Sequence, residues 1–178
     1  MNRDLLRQQC IQLWRSGSRP RTLATSGLSM YPLIPDGSTL TFMPATVDRS
    51  ITVGDIALFE RSGILVAHRI VGKFYQDGCL WFCEKGDNMF CPGTFPASSL
   101  IGRVIHIEHT GHILDLTLWR QRIAGRLAGQ YWCALFALMR AMSACGRRLG
   151  CVAAPQVRAS VVSAFRFLTR LPARFIRM

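Results

Sequence analysis

Three short motifs carry side chains that together have the chemistry of nucleophilic catalysis by a serine. Ser29 lies in the turn-rich segment 27–37, which contains a Pro-Asp-Gly sequence. His68 lies in the apolar run 64–71, and Asp87 follows a Lys-Gly pair. A serine hydroxyl becomes a nucleophile when a base takes its proton, and imidazole titrates near neutral pH. The residue types therefore predict Ser29 as nucleophile and His68 as its general base.

Asp87 has two interpretations of equal weight. It is either a carboxylate that orients the imidazole of His68 and supports its charged form, or a turn-capping acid that binds nearby backbone amides. Asp55 presents the same choice, but it opens a predicted strand and is therefore assigned a structural role. Strand alternation places His68 on one face with Val66 and Ile70, where little solvent would reach it.

The elements that must position these residues are predicted to be short strands. From residue 22 to about residue 108, short apolar runs alternate with Gly, Pro and Asp, a pattern typical of a mainly β domain. The candidate strands are 39–43, 55–60, 64–71, 79–84 and 102–109. Gln76-Asp77-Gly78 predicts a hairpin between 70–75 and 79–83.

Helical periodicity flanks the β region on both sides. Residues 2–15 have apolar positions at helical spacing, and 16–20 contain Gly and Pro that would end a helix. After Gly111 the pattern is helical again, with a last basic amphipathic helix predicted over 157–171. We therefore expect an N-terminal helix in 1–20, a β domain in 21–112 and a basic helical tail in 113–178.

Positive charge is concentrated in that tail. Residues 113–178 hold eleven Arg, no Lys and one acid, a net charge of +10, whereas residues 1–112 account for the other +2 of the total +12. The arginines alternate with long apolar side chains, which favours a membrane surface or an acidic partner over nucleic acid. For 127–145 a membrane span, an interfacial helix and a helix folded on the β domain have equal weight.

The sequence predicts no metal and no cofactor. The seven cysteines match no disulfide framework, and the Cys79, Cys83, Cys91 spacing is a poor match to a zinc site. His106 and His109 fall on opposite faces of a predicted strand, so a solvated strand end is the better interpretation. The N-terminus has no apolar core typical of a secretory signal, which predicts a cytoplasmic protein. The Arg-rich tail makes a membrane surface one candidate partner.

Five motifs in order resemble the signal-peptidase and LexA-like serine peptidase superfamily. They are Gly27-x-Ser29-Met30-x-Pro32, Val53-Gly54-Asp55-Ile56, Val66-Ala67-His68-Arg69-Ile70-Val71, Lys85-Gly86-Asp87-Asn88 and Ile101-Gly102-Arg103-Val104. The base is His rather than Lys, as in the archaeal, endoplasmic-reticulum and spore-former signal peptidases. The resemblance covers about half of the chain and implies a coiled β-sheet fold, with Ser29 and His68 forming a dyad that cleaves after small residues through an acyl-enzyme.

The expected function is a serine endopeptidase that removes a signal or leader segment from a peptide or small protein. Met30 and Tyr31 are predicted to form the wall of the substrate cleft, with Met30 equally assignable to the core. The substrate would be an extended peptide added to a strand edge. Relatives with His usually carry a further acid after the Gly-Asp-Asn motif, and its absence here supports an alternative, a peptide-binding module without catalysis. A DNA-binding switch is disfavoured because 1–20 is too short for a helix-turn-helix domain.

Overall fold

A curled antiparallel sheet carries most of the residues of interest. The computed structural model describes residues 3–44, 51–89 and 91–148, and within these ranges the sheet has eight strands. They are β1 (Arg21–Ala24), β2 (Thr39–Pro44), β3 (Ile56–Arg61), β4 (Ile64–Gln76), β5 (Cys79–Lys85), β6 (Gly93–Pro96), β7 (Leu100–His109) and β8 (His112–Asp115). The strand order is β1-β2-β7-β3-β4-β5-β6, with β8 paired to β7, and the sheet bends into a half-barrel. The prediction of a mainly β protein is confirmed.

All five predicted strands are present, some of them longer than expected. The strand predicted over 64–71 continues to Gln76 as one arm of the expected hairpin, in which Gln76 pairs with Cys79. The sequence did not predict β1, β6 or β8. Each has only four residues, too few for a periodic pattern to stand out. Because β8 continues to Asp115, the sheet extends past the predicted domain boundary at residue 112.

One face of the β3–β4–β5 part of the sheet carries apolar side chains in the pattern that alternation predicts. One cluster beneath His68 contains Phe59, Phe82 and Phe95, and the rings of Phe59 and Phe95 stack with centroids 3.9 Å apart. Aromatic and β-branched residues favour strands because they pack well on a pleated surface. This cluster packs β3, β4 and β5 together next to His68.

An irregularity in β4 changes which side chains share a face. The register of β4 against β5 shifts between Ile70 and Gly72, so Ile70 pairs with Glu84 while Gly72 pairs with the adjacent residue, Cys83. A β-bulge of this kind inserts one unpaired residue into one strand and reverses the alternation beyond it. Glu84 therefore lies on the same face as Ile70, and hence on the same face as His68 two residues earlier.

Two helices flank the sheet. Helix α1 (Arg3–Ser16) matches the prediction for 2–15, and it packs against β2 and β7 with Ile11 buried and the ring of Trp14 against Phe42. Helix α2 (Trp119–Arg148) is continuous over 30 residues and includes 127–145. The helix predicted over 157–171 lies outside the described residues.

Helix α2 packs on the sheet through Ala128, Trp132 and Leu135, which are all buried. Its backbone approaches the turn before β3 so closely that a Cβ on Gly54 would lie 2.5 Å from the carbonyl of Gly125. Gly125 and Gly129, one helical turn apart, both contact this turn. Glycine is needed at the contact because a side chain would push the helix away from the sheet.

The described part of the chain contains no helix with the combination of length and apolar character that a membrane span requires. This finding includes the described portion of 127–145.

Candidate active site

Ser29 and His68 are in hydrogen-bonding contact. The distance between Oγ of Ser29 and Nε2 of His68 is 3.0 Å, although the two residues are 39 positions apart in the chain. His68 lies in β4 and is only 4% exposed, and its ring makes a T-shaped contact with the ring of Phe59. Ser29 lies in the loop after β1 and is partly exposed. A nucleophile within reach of a buried base is the arrangement that nucleophilic catalysis requires.

A carboxylate occupies the other side of the imidazole, and it belongs to Glu84. Oε2 of Glu84 lies 2.5 Å from Nδ1 of His68, and both side chains are buried. With the Nδ1–H donating to Glu84, Nε2 is left free to accept the proton of Ser29. The three side chains thus form a nucleophile, a base and an orienting acid in sequence.

Arg61 holds the second oxygen of the same carboxylate. Its guanidinium donates to Oε1 of Glu84 at 2.7 Å and to the carbonyl of Thr94 at 3.3 Å. Burial by itself would raise the pKa of Glu84, but the hydrogen bonds and charges of His68 and Arg61 outweigh it, so the pKa is lowered from 4.5. The carboxyl group is therefore ionised at neutral pH, in the state that supports an imidazolium.

Asp87 is not in the position expected for an orienting acid. Its carboxylate forms two hydrogen bonds with the buried guanidinium of Arg69, at 2.9 and 2.6 Å. Arg69 follows His68 in β4 and points to the other side of the strand, where it also donates to the carbonyl of Gly54 at 3.0 Å. Asp87 is the sequence candidate for the carboxylate that contacts His68. In the structure, the carboxylate in that position belongs to Glu84.

The Gly-Asp-Asn motif instead holds the loop that carries the serine. The backbone N–H of Asn88 donates to the carbonyl of Ser29 at 2.8 Å, and its side-chain amide donates to the carbonyl of Leu28 at 3.0 Å. A Cβ on Gly86 would lie 2.6 Å from the carbonyl oxygen of Ser29, so this approach needs glycine. The Arg69–Asp87 pair fixes this motif to β4, and through it the position of Ser29.

Lys85 lies between the two carboxylates in sequence but does not act on the serine. Its ammonium donates to the carbonyl of Gly86 at 2.9 Å and lies 3.4 Å from the ring centroid of Trp132 in α2. Burial lowers its pKa from 10.5 to about 8, with the charge of Asp87 opposing that shift. Lys85 therefore links the Gly-Asp-Asn motif to the helix.

A cleft of about 360 Å³ opens beside the Ser29–His68 pair. Residues 23–27 line one wall and residues 64–68 of β4 line the other, with Met30 and Ile34 contributing apolar surface. Met30 is 3% exposed, and its sulfur accepts a hydrogen bond from the backbone N–H of Asp87, so this side chain belongs to both the cleft and the core. Tyr31 is 46% exposed and does not line this cleft.

The remaining candidates for chemistry are accounted for by local contacts. Asp55 accepts hydrogen bonds from the backbone and hydroxyl of Thr52, as its predicted structural role requires. His106 lies 3.4 Å from Asp115, and His109 lies 3.3 Å from the hydroxyl of Ser38. Over the described ranges, no three His, Cys, Asp or Glu side chains converge as a metal ion would require.

Sequence reasoning missed Glu84, although a signal was present. Glu84 continues the alternation of Leu80 and Phe82, which places a carboxylate on an otherwise apolar face of β5. Acids are rarely buried on such a face without a partner. Without the bulge in β4, however, the hairpin register would set Glu84 opposite Val71, away from His68.

Comparison with protein-family models, with curated proteins and with solved structures returns no match for this chain.

Proposed function

We propose that the protein is a serine endopeptidase in which Ser29, His68 and Glu84 act as a catalytic triad. The observation that carries this proposal is the chain of contacts from Oγ of Ser29 through the imidazole to a buried, ionised carboxylate. A histidine with only a structural role would be satisfied by a single hydrogen-bond partner. Here each ring nitrogen has its own partner, the hydroxyl of Ser29 at Nε2 and the carboxylate of Glu84 at Nδ1. The opening of the cleft at the serine gives a substrate access to the hydroxyl.

The reaction follows from these contacts. His68 takes the proton of Ser29 through Nε2 as Oγ attacks the scissile carbonyl, and Glu84 stabilises the imidazolium that forms. The backbone N–H of Ser29 is the donor that we assign to the tetrahedral oxyanion. His68 then gives the proton to the leaving amine, which leaves an acyl-enzyme on Ser29. Water activated by the same imidazole releases the acyl group and restores the hydroxyl.

The two walls of the cleft suit an extended peptide. On the β4 wall, residues 64–68 pair with β3, whereas β5 pairs with β4 only from Arg69 onward. The other edge of 64–68 is therefore unpaired among the described strands, and β1 pairs with β2 on one edge only within the same ranges. Exposed strand edges bind an extended chain by backbone hydrogen bonds, with side chains in alternate pockets.

The preferred substrate is a leader or signal segment of a peptide or small protein. This part of the proposal rests on the ordered motifs that resemble the signal-peptidase and LexA-like superfamily, together with a half-barrel of antiparallel strands. The alternative, a peptide-binding module without catalysis, drew its support from the lack of an acid after the Gly-Asp-Asn motif. Glu84 supplies a carboxylate at His68 from β5, so that argument no longer favours the module.

Mass spectrometry of candidate precursor peptides tests the proposal. The wild-type protein should produce two fragments from one bond, and Ser29→Ala and His68→Ala should lower the rate by on the order of 10⁴-fold or more. Ser18→Ala is the matched control because Ser18 is exposed in the segment between α1 and β1. Equal cleavage by the wild type and Ser29→Ala would contradict the proposal, and binding without any fragment would favour the module.

A further inference from the structure

One face of helix α2 is an exposed apolar stripe. Trp119, Ile123 and Leu127 follow each other at intervals of four residues and are 67%, 47% and 60% exposed. Leu138, which lies three helical turns beyond Leu127, is 56% exposed on the same face. Side chains at such intervals form a continuous strip along a helix. Large apolar residues exposed in a row, rather than singly, mark an interaction surface.

The stripe is not the face by which the helix holds the sheet. Ala128, Trp132 and Leu135 are buried against β4 and the turn before β3, and the close contact of Gly125 with Gly54 fixes this orientation. Helix α2 is thus apolar on two sides, of which the sheet covers one. The exposed stripe is presented outward by a helix that is already anchored.

The charges around the stripe have one sign. Arg120, Arg122 and Arg126 are exposed beside it, and the sequence of α2 contains no Asp or Glu. Arginine flanking an apolar strip complements an anionic surface that also accepts apolar side chains. An anionic lipid bilayer has both properties, because its headgroups attract the guanidinium groups while its acyl boundary takes up the tryptophan, isoleucine and leucine.

Other occupants fit this surface less well. Residues 149–178 carry five Arg and no acid, so packing this segment on α2 would bring like charges together. A second copy of the same face would do the same across a two-fold axis. A nucleic-acid backbone would meet the arginines but leave the apolar strip against polar phosphate and sugar.

We propose that the exposed face of α2, defined by Trp119, Ile123 and Leu127 with Arg120 and Arg126, binds the surface of an anionic membrane. The helix lies along the bilayer with this stripe in the headgroup region, and the sheet stays on the water side. This surface does not depend on the proposed peptidase chemistry, so Ser29→Ala should bind vesicles as the wild type does.

Vesicle co-sedimentation of the full chain tests the proposal. The wild type should bind vesicles of phosphatidylcholine with about one-third phosphatidylglycerol, and bind phosphatidylcholine alone far more weakly. Ile123→Asn/Leu127→Asn should lower the partition coefficient by about tenfold for each residue. Tyr75→Asn is the control, because Tyr75 is more exposed than either residue but lies near the end of β4.

Arginine substitutions test the charge component of the same surface. Arg120→Gln/Arg126→Gln should weaken binding by about fivefold for each arginine, and added salt should reduce this difference. Arg19→Gln/Arg21→Gln removes the same charge from the segment before β2 and should have a smaller effect. Equal losses in the two double variants would show that net charge alone drives binding and would contradict the proposed face.

Insertion of the stripe can be observed directly. Brominated lipids should quench tryptophan emission of the wild type, and Trp119→Phe should remove most of that quenching. Unchanged quenching in Trp119→Phe, or unchanged binding by Ile123→Asn/Leu127→Asn, would overturn the proposal. The proposal would also be overturned if the wild type formed a dimer in sedimentation velocity, Ile123→Asn/Leu127→Asn lost that dimer, and the wild type failed to bind vesicles. A second copy of the chain would then be the occupant of this face.

Discussion

Two carboxylates three residues apart, Glu84 and Asp87, are bound on opposite sides of β4. Glu84 lies between His68 and Arg61, beside the cleft, whereas Asp87 lies against Arg69, beneath helix α2. Both acids are buried and both have an arginine partner, so composition does not distinguish them. The difference lies in the other contact. The carboxylate of Glu84 also contacts the imidazole of His68, whereas the guanidinium that binds Asp87 also donates to the carbonyl of Gly54.

This comparison separates the catalytic role that we assign to Glu84 from the structural role that we assign to Asp87. We assign Glu84 to the proton transfer because its carboxylate touches the group that touches the serine. Asp87 acts through the backbone, because the motif that it anchors holds the carbonyl of Ser29 in place. Replacing each acid by its amide should therefore affect different properties of the protein, activity for Glu84 and stability for Asp87.

The largest effect is expected for Glu84→Gln. A glutamine amide in place of the carboxylate no longer selects the Nδ1–H tautomer, so the rate should fall by on the order of 10³- to 10⁴-fold, as for the acid of other triads. Steady-state kinetics on the cleaved peptide measures this change. Glu108→Gln, at an exposed position of β7, should keep the wild-type rate. A loss of less than tenfold in Glu84→Gln would leave the site as a Ser29–His68 dyad.

Asp87→Asn should mainly destabilise the protein. It leaves the buried charge of Arg69 without its anion, which typically costs about 3–5 kcal/mol in the free energy of unfolding. Urea unfolding followed by circular dichroism measures this free energy. Asp77→Asn, in the exposed turn after β4, is the control and should stay near wild type. If Asp87→Asn unfolds like the wild type but loses activity as severely as Glu84→Gln, the division between the two acids is wrong.

Lys85 provides a pH test on the Asp87 side of β4. Burial lowers its pKa to about 8 in the folded protein against 10.5 when exposed, so between these pH values the unfolded chain binds more protons. The free energy of unfolding of the wild type should therefore rise with pH relative to Lys85→Met, by at most about 3 kcal/mol. Urea midpoints of both proteins from pH 8 upward measure the gain. If the difference in free energy of unfolding between the two proteins did not change with pH, the ammonium group of Lys85 would be in solvent and the prediction would be wrong.

The smallest effect is expected for Arg61→Gln, which weakens the support of Glu84 without removing it. Arg61 is partly exposed, so we expect only about a fivefold loss of rate. Its charge helps to lower the pKa of Glu84, a group whose stabilising effect is present above pH 4.5 and is lost as the pH falls through the folded-state value. Acid unfolding of Arg61→Gln should therefore begin at a higher pH, while Arg19→Gln should unfold like the wild type.

Much of the fold could be predicted from the sequence, because its long strands have periodic apolar patterns and clear turn residues. The hairpin at Asp77-Gly78 is an example. The four-residue strands could not be predicted, since β1, β6 and β8 depend on neighbours that already form a sheet. Of the site, Ser29 and His68 are predicted and are in contact, but the candidate for the acid is Asp87, at equal weight with a turn-capping role, and Glu84 is not predicted. Glu84 could not be predicted at His68 because of the bulge between Ile70 and Gly72, which depends on tertiary packing. The bulge pairs Glu84 with Ile70 and so places it on the face of β4 that carries His68.

The most direct test of the central claim is the rate at which a fluorophosphonate phosphonylates Ser29 with loss of fluoride, followed by mass spectrometry of the intact and digested protein. We expect one adduct on Ser29 in the wild type, almost none in His68→Ala and a strongly reduced rate in Glu84→Gln. Asp87→Asn, measured where it is fully folded, should react within about tenfold of the wild type. Absence of an adduct on wild-type Ser29, or equal losses in Glu84→Gln and Asp87→Asn, would contradict the account.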